Sequence, residues 1–174
     1  MIQFQRKLLY NGTGSTTTSG AALSGGTGDL TDGVIATGNW NAGDAPKYVG
    51  WVIINPTITF TFAQSHDFTS ATFYFDDSNG AGGVSQTGSV SINGSNRSVP
   101  TNPGSAPFSF TFDLTGTSTD TLTTQLFRSN SWVFLSEVTF DAAAPSPVPL
   151  PAAGGMLLLG LAGFGALRRR QTRG

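Results

Sequence analysis

The side chains best suited to holding a ligand are tryptophans with polar neighbours. Trp40 directly follows Asn39, and Asp44 comes four residues later. Sugars have apolar faces and polar rims, so an aromatic ring combined with hydrogen-bonding side chains can hold them. We therefore predict a ligand-binding role for this cluster and for three further side chains, His66, Arg97 and Trp132. Trp51 lies within an apolar run and is predicted to belong to the core.

Catalysis receives little support from the sequence. The single histidine, His66, is followed by Asp67, but adjacency along the chain does not establish the geometry of a catalytic triad. The chain has no cysteine, which excludes a thiol nucleophile and thiolate metal ligands. Its many aspartates specify no particular glycosidase pair. We predict that the protein is not an enzyme, and a hydrolase built around His66 is the least supported hypothesis.

Three features follow one another in the last part of the chain. They are a short proline motif (Val148, Pro149, Leu150, Pro151 and Ala152), an apolar stretch over 152–167 and a basic cluster (Arg168, Arg169 and Arg170). As a helix, the apolar stretch would span roughly 24 Å. That length is marginal for a membrane crossing, and the arginines after it suit a cytoplasmic anchor.

This tail resembles the PEP-CTERM family of bacterial sorting signals in its VPLPA variant. The resemblance covers residues 148–174. It implies recognition by an exosortase-type membrane protease while the helix holds the protein in the inner membrane. It also implies cleavage near the motif and delivery to the cell envelope or an exopolysaccharide matrix. A plain C-terminal anchor or a buried core helix is the alternative.

Charge is divided between the body and the tail. All ten acidic residues lie at or before Asp141 together with five bases, a net charge of −5, and the other four bases lie in the tail. This acidic body makes nucleic acid an improbable partner. No apolar signal region of about 7 to 15 residues is recognisable near Met1. We therefore expect the natural chain to begin further upstream, where an export signal could stand.

Apolar and polar residues alternate in short runs through the body of the chain. Ile58, Phe60 and Phe62 alternate with threonines, and comparable runs cover 71–75, 90–92, 108–114 and 133–140. Asn93-Gly94 favours a type I′ hairpin turn. Seven or eight such strands, separated by Gly-, Asn-, Ser- and Pro-rich turns, predict an all-β fold, an antiparallel β-sandwich or jelly roll.

A set of local signatures occurs in a characteristic order: Leu30-Thr31-Asp32-Gly33, Trp40, Tyr48-Val49-Gly50-Trp51 and the run 132–138. In this order they resemble a galactose-binding-domain-like jelly roll, the discoidin-type fold of many carbohydrate-binding modules. The resemblance covers about 29–142, and the proline-rich segment 100–107 departs from it. It implies ligand-binding loops at one end of the sandwich.

The same resemblance implies a structural calcium ion held by Asp32 and Glu137. Calcium takes carboxylate and backbone carbonyl oxygens, so these residue types suit it. A second acidic segment, 76–80, lacks the spacing of an EF-hand loop and is predicted to be a turn.

These observations predict five segments. They are a flexible segment 1–28, a β-sandwich domain 29–142, a proline-rich linker 143–151, a transmembrane helix 152–167 and a basic tail 168–174. The leading hypothesis is an exported, matrix-associated protein that binds carbohydrate such as exopolysaccharide. The alternative is a structural or adhesion protein without a defined small ligand. Exposed aromatic rings at one loop end would favour the first hypothesis, and burial of all the tryptophans would favour the second.

Overall fold

The structure, a computed structural model, describes residues 28–144 in full and the backbone of three short strands that precede them. The chain divides into two compact units, Met1–Ala143 and Ala144–Gly174. The predicted sorting motif 148–152, apolar helix 152–167 and arginine cluster 168–170 lie outside the described residues. None of the helices that the structure does describe is long and apolar enough to cross a membrane.

The described part of the chain is built from β-strands joined by loops and short 3-10 helices. The strands are β1 (Lys7–Tyr10), β2 (Thr17–Thr18), β3 (Ala21–Ala22), β4 (Val49–Val52), β5 (Thr57–Phe75), β6 (Thr87–Ile92), β7 (Ser95–Ser98), β8 (Phe108–Arg128) and β9 (Trp132–Ala142). The 3-10 helices are Asp29–Thr31, Trp40–Ala42, Ala45–Lys47 and Ala81–Gly83. The all-β class predicted from the alternating pattern is therefore confirmed.

One antiparallel sheet contains most of these strands. Its order is β4-β9-β5-β8-β6-β7, with β1 paired to β5, while β2 and β3 form a separate two-stranded sheet. Part of the segment 1–28, which was predicted to be flexible, is thus a sheet strand. The apolar pair Leu8-Leu9 lies in β1, beside Thr59 and Phe60 of β5.

The two longest strands, β5 and β8, each bend, so that each contributes to both layers of the fold. Their pairing is interrupted after Thr61 and resumes at His66. The first part of β5 pairs with β1 and the second part with β9. Rings on the first part of β5 pack against the second part and against β9: the centroids of Phe62 and Phe68 are 4.9 Å apart, as are those of Phe60 and Phe140 of β9. Two packed layers of this kind are consistent with a β-sandwich.

The alternating pattern marks the core as predicted. Ile58, Phe60 and Phe62 are at most 5% exposed, whereas the threonines between them are partly exposed. Trp51 is 1% exposed, which confirms its place in the core. Asn93 and Gly94 join β6 to β7 with φ angles of 47° and 85°, the left-handed values that a type I′ turn requires.

Five loops gather at one end of the sheet, which we call the loop end. They are the segments 36–48, 52–56, 76–86, 100–107 and 128–131. The opposite end, where β5 and β8 bend over 62–68 and 117–120, is called the corner end. The backbone N–H of Ala143, just after β9, donates to Asp67 O at 2.8 Å. The chain therefore leaves the domain at the corner end.

Candidate functional site

The last residue of β8 and its connection to β9, residues 128–131, lie at the loop end and are together called the hub loop. It is tied to the loops on both sides of it. The bonds run from Arg128 N to Asn55 Oδ1 (3.1 Å), from Ile53 N to Ser131 O (2.7 Å), from Asn130 Nδ2 to Ser85 Oγ (3.2 Å) and from Ser129 Oγ to Gln86 O. These bonds hold residues 129–131, which carry no regular secondary structure, in a fixed position.

The hub loop presents uncharged polar groups and one cation beside an indole ring. Arg128, Ser129 and Ser131 are exposed, and Asn130 and Trp132 are half-buried. A guanidinium, hydroxyls and an amide can together donate to and accept from a ligand rich in hydroxyl groups. Of these five residues, only Trp132 was predicted from the sequence to belong to a site. The polar run Arg-Ser-Asn-Ser directly before it was the signal that could have identified the rest.

Trp132 and Trp40, both predicted to bind a ligand, are brought together by a shared neighbour. The ring centroid of Phe134 lies 5.3 Å from that of Trp132 and 5.9 Å from that of Trp40, each pair edge-to-face. Trp132 keeps part of its surface open, whereas Trp40 is only 9% exposed. Trp132 is thus the tryptophan that offers a ring to solvent at the loop end.

The ring of Trp40 is covered by a glycine-rich segment, residues 80–83, which we call the glycine loop. A Cβ atom at Gly82 would lie 2.7 Å from Cζ2 of the indole, closer than atoms normally approach. Gly82 also has a φ of 61°, a conformation that suits glycine. Trp40 therefore packs against protein instead of presenting a free face, because residue 82 has no side chain.

A buried carboxylate holds the loop that carries Trp40. Asp76 is 0% exposed; its Oδ2 accepts from Trp40 N at 2.6 Å and its Oδ1 from the Ser78 hydroxyl at 2.6 Å. Burial raises the pKa of Asp76 above its ordinary value although these hydrogen bonds favour the ionised form, and the nearby Asp77 raises it further. The segment 76–80 is thus more than the surface turn predicted, since it anchors the loop end.

Two polar atoms near this carboxylate lack partners among the described residues. They are Nε1 of Trp40, a donor, and Oδ1 of Asn39, an acceptor, and both are buried. Leaving such groups unpaired costs about 1–3 kcal/mol each. The amide nitrogen of Asn39, by contrast, donates to Ser105 O and connects to the proline-rich loop.

Asp44 is occupied within its own loop. Its Oδ2 accepts from Thr37 N at 2.9 Å and from Gly38 N at 2.8 Å, and its Oδ1 lies 2.9 Å from Lys47 Nζ. The hydrogen bond from Lys47 is the largest of the effects that lower the pKa of Asp44 to about 2. Both oxygens therefore serve to close the segment that carries Trp40.

Two predicted site residues lie away from the loop end. His66 lies at the corner end, and its ring is 6.0 Å from Phe62 and 5.8 Å from Phe68. The ten residues from His66 to Phe75 span roughly 30 Å of strand. Arg97 lies on β7 opposite Val90, with its guanidinium carbon 5.6 Å from the Phe112 ring centroid. The structure does not bring either residue to Trp132.

The predicted calcium ligands come from segments that meet. The backbone N–H of Gly33 donates to Oε2 of Glu137 at 3.2 Å, and Glu137 is 2% exposed. Asp32 is exposed and accepts from Val34 N at 2.8 Å. Within the described residues, no group of three acidic or histidine side chains could hold a metal ion. A calcium ion here would need backbone carbonyls to complete its ligands.

No protein-family model matches the chain, and no curated protein is similar to it in sequence. Solved structures do share its fold. The lectin domain of lectinolysin complexed with Lewis B antigen has a TM-score of 0.51 at 11% identity, over 80% of this chain and 94% of that one.

A Streptococcus pneumoniae fucose binding module has a TM-score of 0.51 at 13% identity, over 80% and 93% of the two chains. The CBM32 of AlyQ in complex with 4,5-unsaturated mannuronic acid has a TM-score of 0.50 at 15% identity, over 82% and 100%. At sequence identities this low, the similarity shows a shared fold and nothing further. The domain therefore has the discoidin-type, galactose-binding-like fold of these carbohydrate-binding modules, as the order of its signatures predicted.

Proposed function

We propose that this protein is a non-catalytic carbohydrate-binding protein of the bacterial cell envelope or its matrix, and that its domain binds glycan at the loop end. The observation that carries the proposal is the hub loop beside Trp132. Hydroxyl, amide and guanidinium groups stand there next to a half-buried indole, in loops held in place by hydrogen bonds.

The fold supports this proposal, since the solved structures that share it include modules named for the sugars they bind. Chemistry supports it as well, because sugar recognition needs an aromatic surface and several oriented donors and acceptors. A structural or adhesion protein without a small ligand remains the competing function. The burial of Trp40 and Trp51 favours that alternative, and the partial exposure of Trp132 favours glycan binding.

Calorimetric titration of the full chain, kept in mild detergent, with exopolysaccharide from the source bacterium tests the proposal. We expect saturable binding that is lost in Trp132→Leu and retained in His66→Leu, whose site is at the corner end. Thermal unfolding of both variants checks that they remain folded. The reverse pattern would place the site at the corner end, and an absence of binding by the wild-type chain would favour the structural alternative.

We further propose that the tail directs export and sorting. The match of 148–152 to the VPLPA motif, followed by the apolar stretch and Arg168, Arg169 and Arg170, supports recognition by an exosortase-type protease. Replacing Pro149 and Pro151 by alanine should leave an unprocessed form in the inner-membrane fraction, detected by a shift in mass. Normal processing of this variant, or processing in a strain without the protease, would contradict the sorting role.

A structural calcium ion beside Glu137 is proposed as well. The contact between Gly33 and Glu137 supports it, because it brings the loop of Asp32 to the buried carboxylate. Calcium should raise the melting temperature of the wild-type chain relative to chelator, and Glu137→Gln should remove that difference. A melting temperature that does not respond to calcium would contradict this assignment and would leave the glycan proposal intact.

A further inference from the structure

Arg128 is the positively charged side chain of the hub loop, and it is oriented. Its backbone N–H donates to Asn55 Oδ1 at 3.1 Å, and its Nη1 donates to Asn130 O at 2.9 Å. A guanidinium has five N–H donors in a planar fork. The remaining donors have no acceptor among the described residues, so they are available to a ligand.

No described carboxylate neutralises Arg128. The ion pair found within residues 28–144 joins Lys47 to Asp44. Asp76 and Asp77, in another segment of the loop end, are buried, at 0% and 2% exposure. Arg128 is therefore a local positive charge in a region, residues 28–144, whose three bases, Lys47, Arg97 and Arg128, are outnumbered by ten acids. Such a charge suits recognition of one anionic group and not long-range attraction of a polyanion.

An apolar rim adjoins the hub loop. Val52, Ile53 and Ile54 are 43%, 68% and 40% exposed, and Ile53 N donates to Ser131 O of the hub loop. Ile53 has a φ of 59°, which is unfavourable for a β-branched residue. An exposed apolar side chain on a residue with a costly backbone conformation, such as Ile53, supports a contact with a ligand.

We propose that the ligand of the loop end is an acidic polysaccharide. A uronate carboxylate pairs with the free N–H groups of Arg128, whose planar fork matches a carboxylate in two parallel hydrogen bonds. The hydroxyls of Ser129 and Ser131 form hydrogen bonds with ring hydroxyls of the sugar. Ile53 packs against an apolar sugar face. This inference rests on the glycan-binding function proposed above and adds the class of glycan.

Pairs of oligosaccharides that differ only in their carboxyl groups measure the contribution of the uronate carboxylate to binding. The full chain is titrated with galacturonate and alginate oligosaccharides and with the same oligosaccharides after reduction of their carboxyl groups. We expect the wild-type chain to bind one acidic form at least tenfold more tightly than its reduced partner. Arg128→Gln should abolish that preference, and Arg128→Lys should retain part of it. Arg97→Gln is the matched control, because it removes an arginine on β7 that lies away from the loop end, and it should leave the preference unchanged.

The outcomes separate this inference from the function on which it rests. Binding of exopolysaccharide with no preference for an acidic form, or with a preference that survives Arg128→Gln, would overturn the acidic-glycan inference and leave carbohydrate binding standing. Failure to bind either the oligosaccharides or the exopolysaccharide would overturn both. A preference that falls as salt rises and vanishes in Arg128→Gln supports the pairing of Arg128 with the carboxylate.

Discussion

Ile53 has a left-handed backbone conformation at a position where its side chain buries little surface. The side chain is 68% exposed and its φ is 59°. Asparagine tolerates this region far better than a β-branched residue, so Ile53→Asn should raise the free energy of unfolding by about 1 kcal/mol. Urea unfolding measures the change. Ile54→Asn is the matched control, since Ile54 is also exposed but is not left-handed, and it should bring no gain.

The same substitution separates stability from function. Because Ile53 is proposed to pack against the sugar, Ile53→Asn should bind glycan more weakly while the domain becomes more stable. A variant that is both less stable and unchanged in affinity would show that Ile53 contributes to folding and not to the ligand contact.

Asp76 should give the domain a distinctive dependence on pH. Its folded pKa is raised by burial, so between its ordinary value of 3.8 and the folded value the unfolded chain loses its proton first. Stability should therefore fall as pH rises through this window. The pKa of Asp44 is lowered to about 2, so the stabilisation that its ionised form provides is lost only as pH falls below 3.8. The pH dependence of stability that comes from Asp44 is therefore opposite in sign to that from Asp76.

The difference between the wild-type chain and Asp76→Asn isolates this effect. Melting temperatures measured from pH 4 upward should decline in the wild-type chain relative to the variant. The slope is compared, because Asp76→Asn also changes the hydrogen bonds to Trp40 and Ser78. Parallel curves for the two proteins would mean that Asp76 does not titrate in this window.

At the level of single residues, the sequence shows which side chains have the chemistry to bind a ligand, but not which neighbours those side chains contact in the fold. Trp132 was predicted to bind a ligand, and it directly follows the polar hub loop. Nothing in the sequence shows that Trp40 is covered by the backbone of Gly82, since that contact joins residues 42 positions apart. Asp44 looked available to a ligand, and its pairing with Lys47 appears only once the loop folds. His66 and Arg97 carried suitable chemistry, but the bend of β5 and the position of β7 separate them from the loop end.

The glycine loop is the element that keeps Trp40 buried. Gly82→Ala would place a Cβ in a left-handed residue and also against the indole ring. Gly43→Ala is the matched control, because Gly43 has a φ of 105° but no atom within 4 Å of its added Cβ. We expect Gly43→Ala to cost roughly 1 kcal/mol of stability and Gly82→Ala to cost at least about 1 kcal/mol more.

Tryptophan fluorescence supplies a second measurement for these variants. A displaced Trp40 should shift the emission of Gly82→Ala and not that of Gly43→Ala. Equal costs and identical emission spectra would contradict the close packing of the glycine loop on Trp40.

The strands were predictable because the pleat imposes a period of two on any half-buried sheet. Ile58, Phe60 and Phe62 follow this period, and they are buried. The continuity of β5 was not predictable, because alternation stops at the polar run 63–67, where the strand turns the corner. A bend within one strand and a loop between two strands both interrupt the alternating pattern of apolar and polar residues. Only the pairing of the strand residues in the structure distinguishes the two cases.

At the scale of the whole domain, the proposed glycan site and the exit of the chain lie at opposite ends. The hub loop is at the loop end, whereas Ala143 is bonded to Asp67 at the corner end. The strand between them is β9, Trp132–Ala142, which spans roughly 35 Å when extended. A ligand at the hub loop would therefore lie far from Ala143, the last residue of the first compact unit.

We expect the tail to be dispensable for binding, because Ala143, the last residue of the first compact unit, lies at the corner end and not at the loop end. A chain that ends at residue 144 should bind exopolysaccharide within about twofold of the affinity of the full chain, since a twofold change is only about 0.4 kcal/mol. The measurement is the same titration, with both proteins in the same detergent so that the medium is matched. The truncated chain must first show a cooperative thermal transition like that of the full chain. A loss of affinity in a folded, truncated protein would show that residues 145–174 take part in the site, and glycan binding and sorting would then have to be treated as coupled functions.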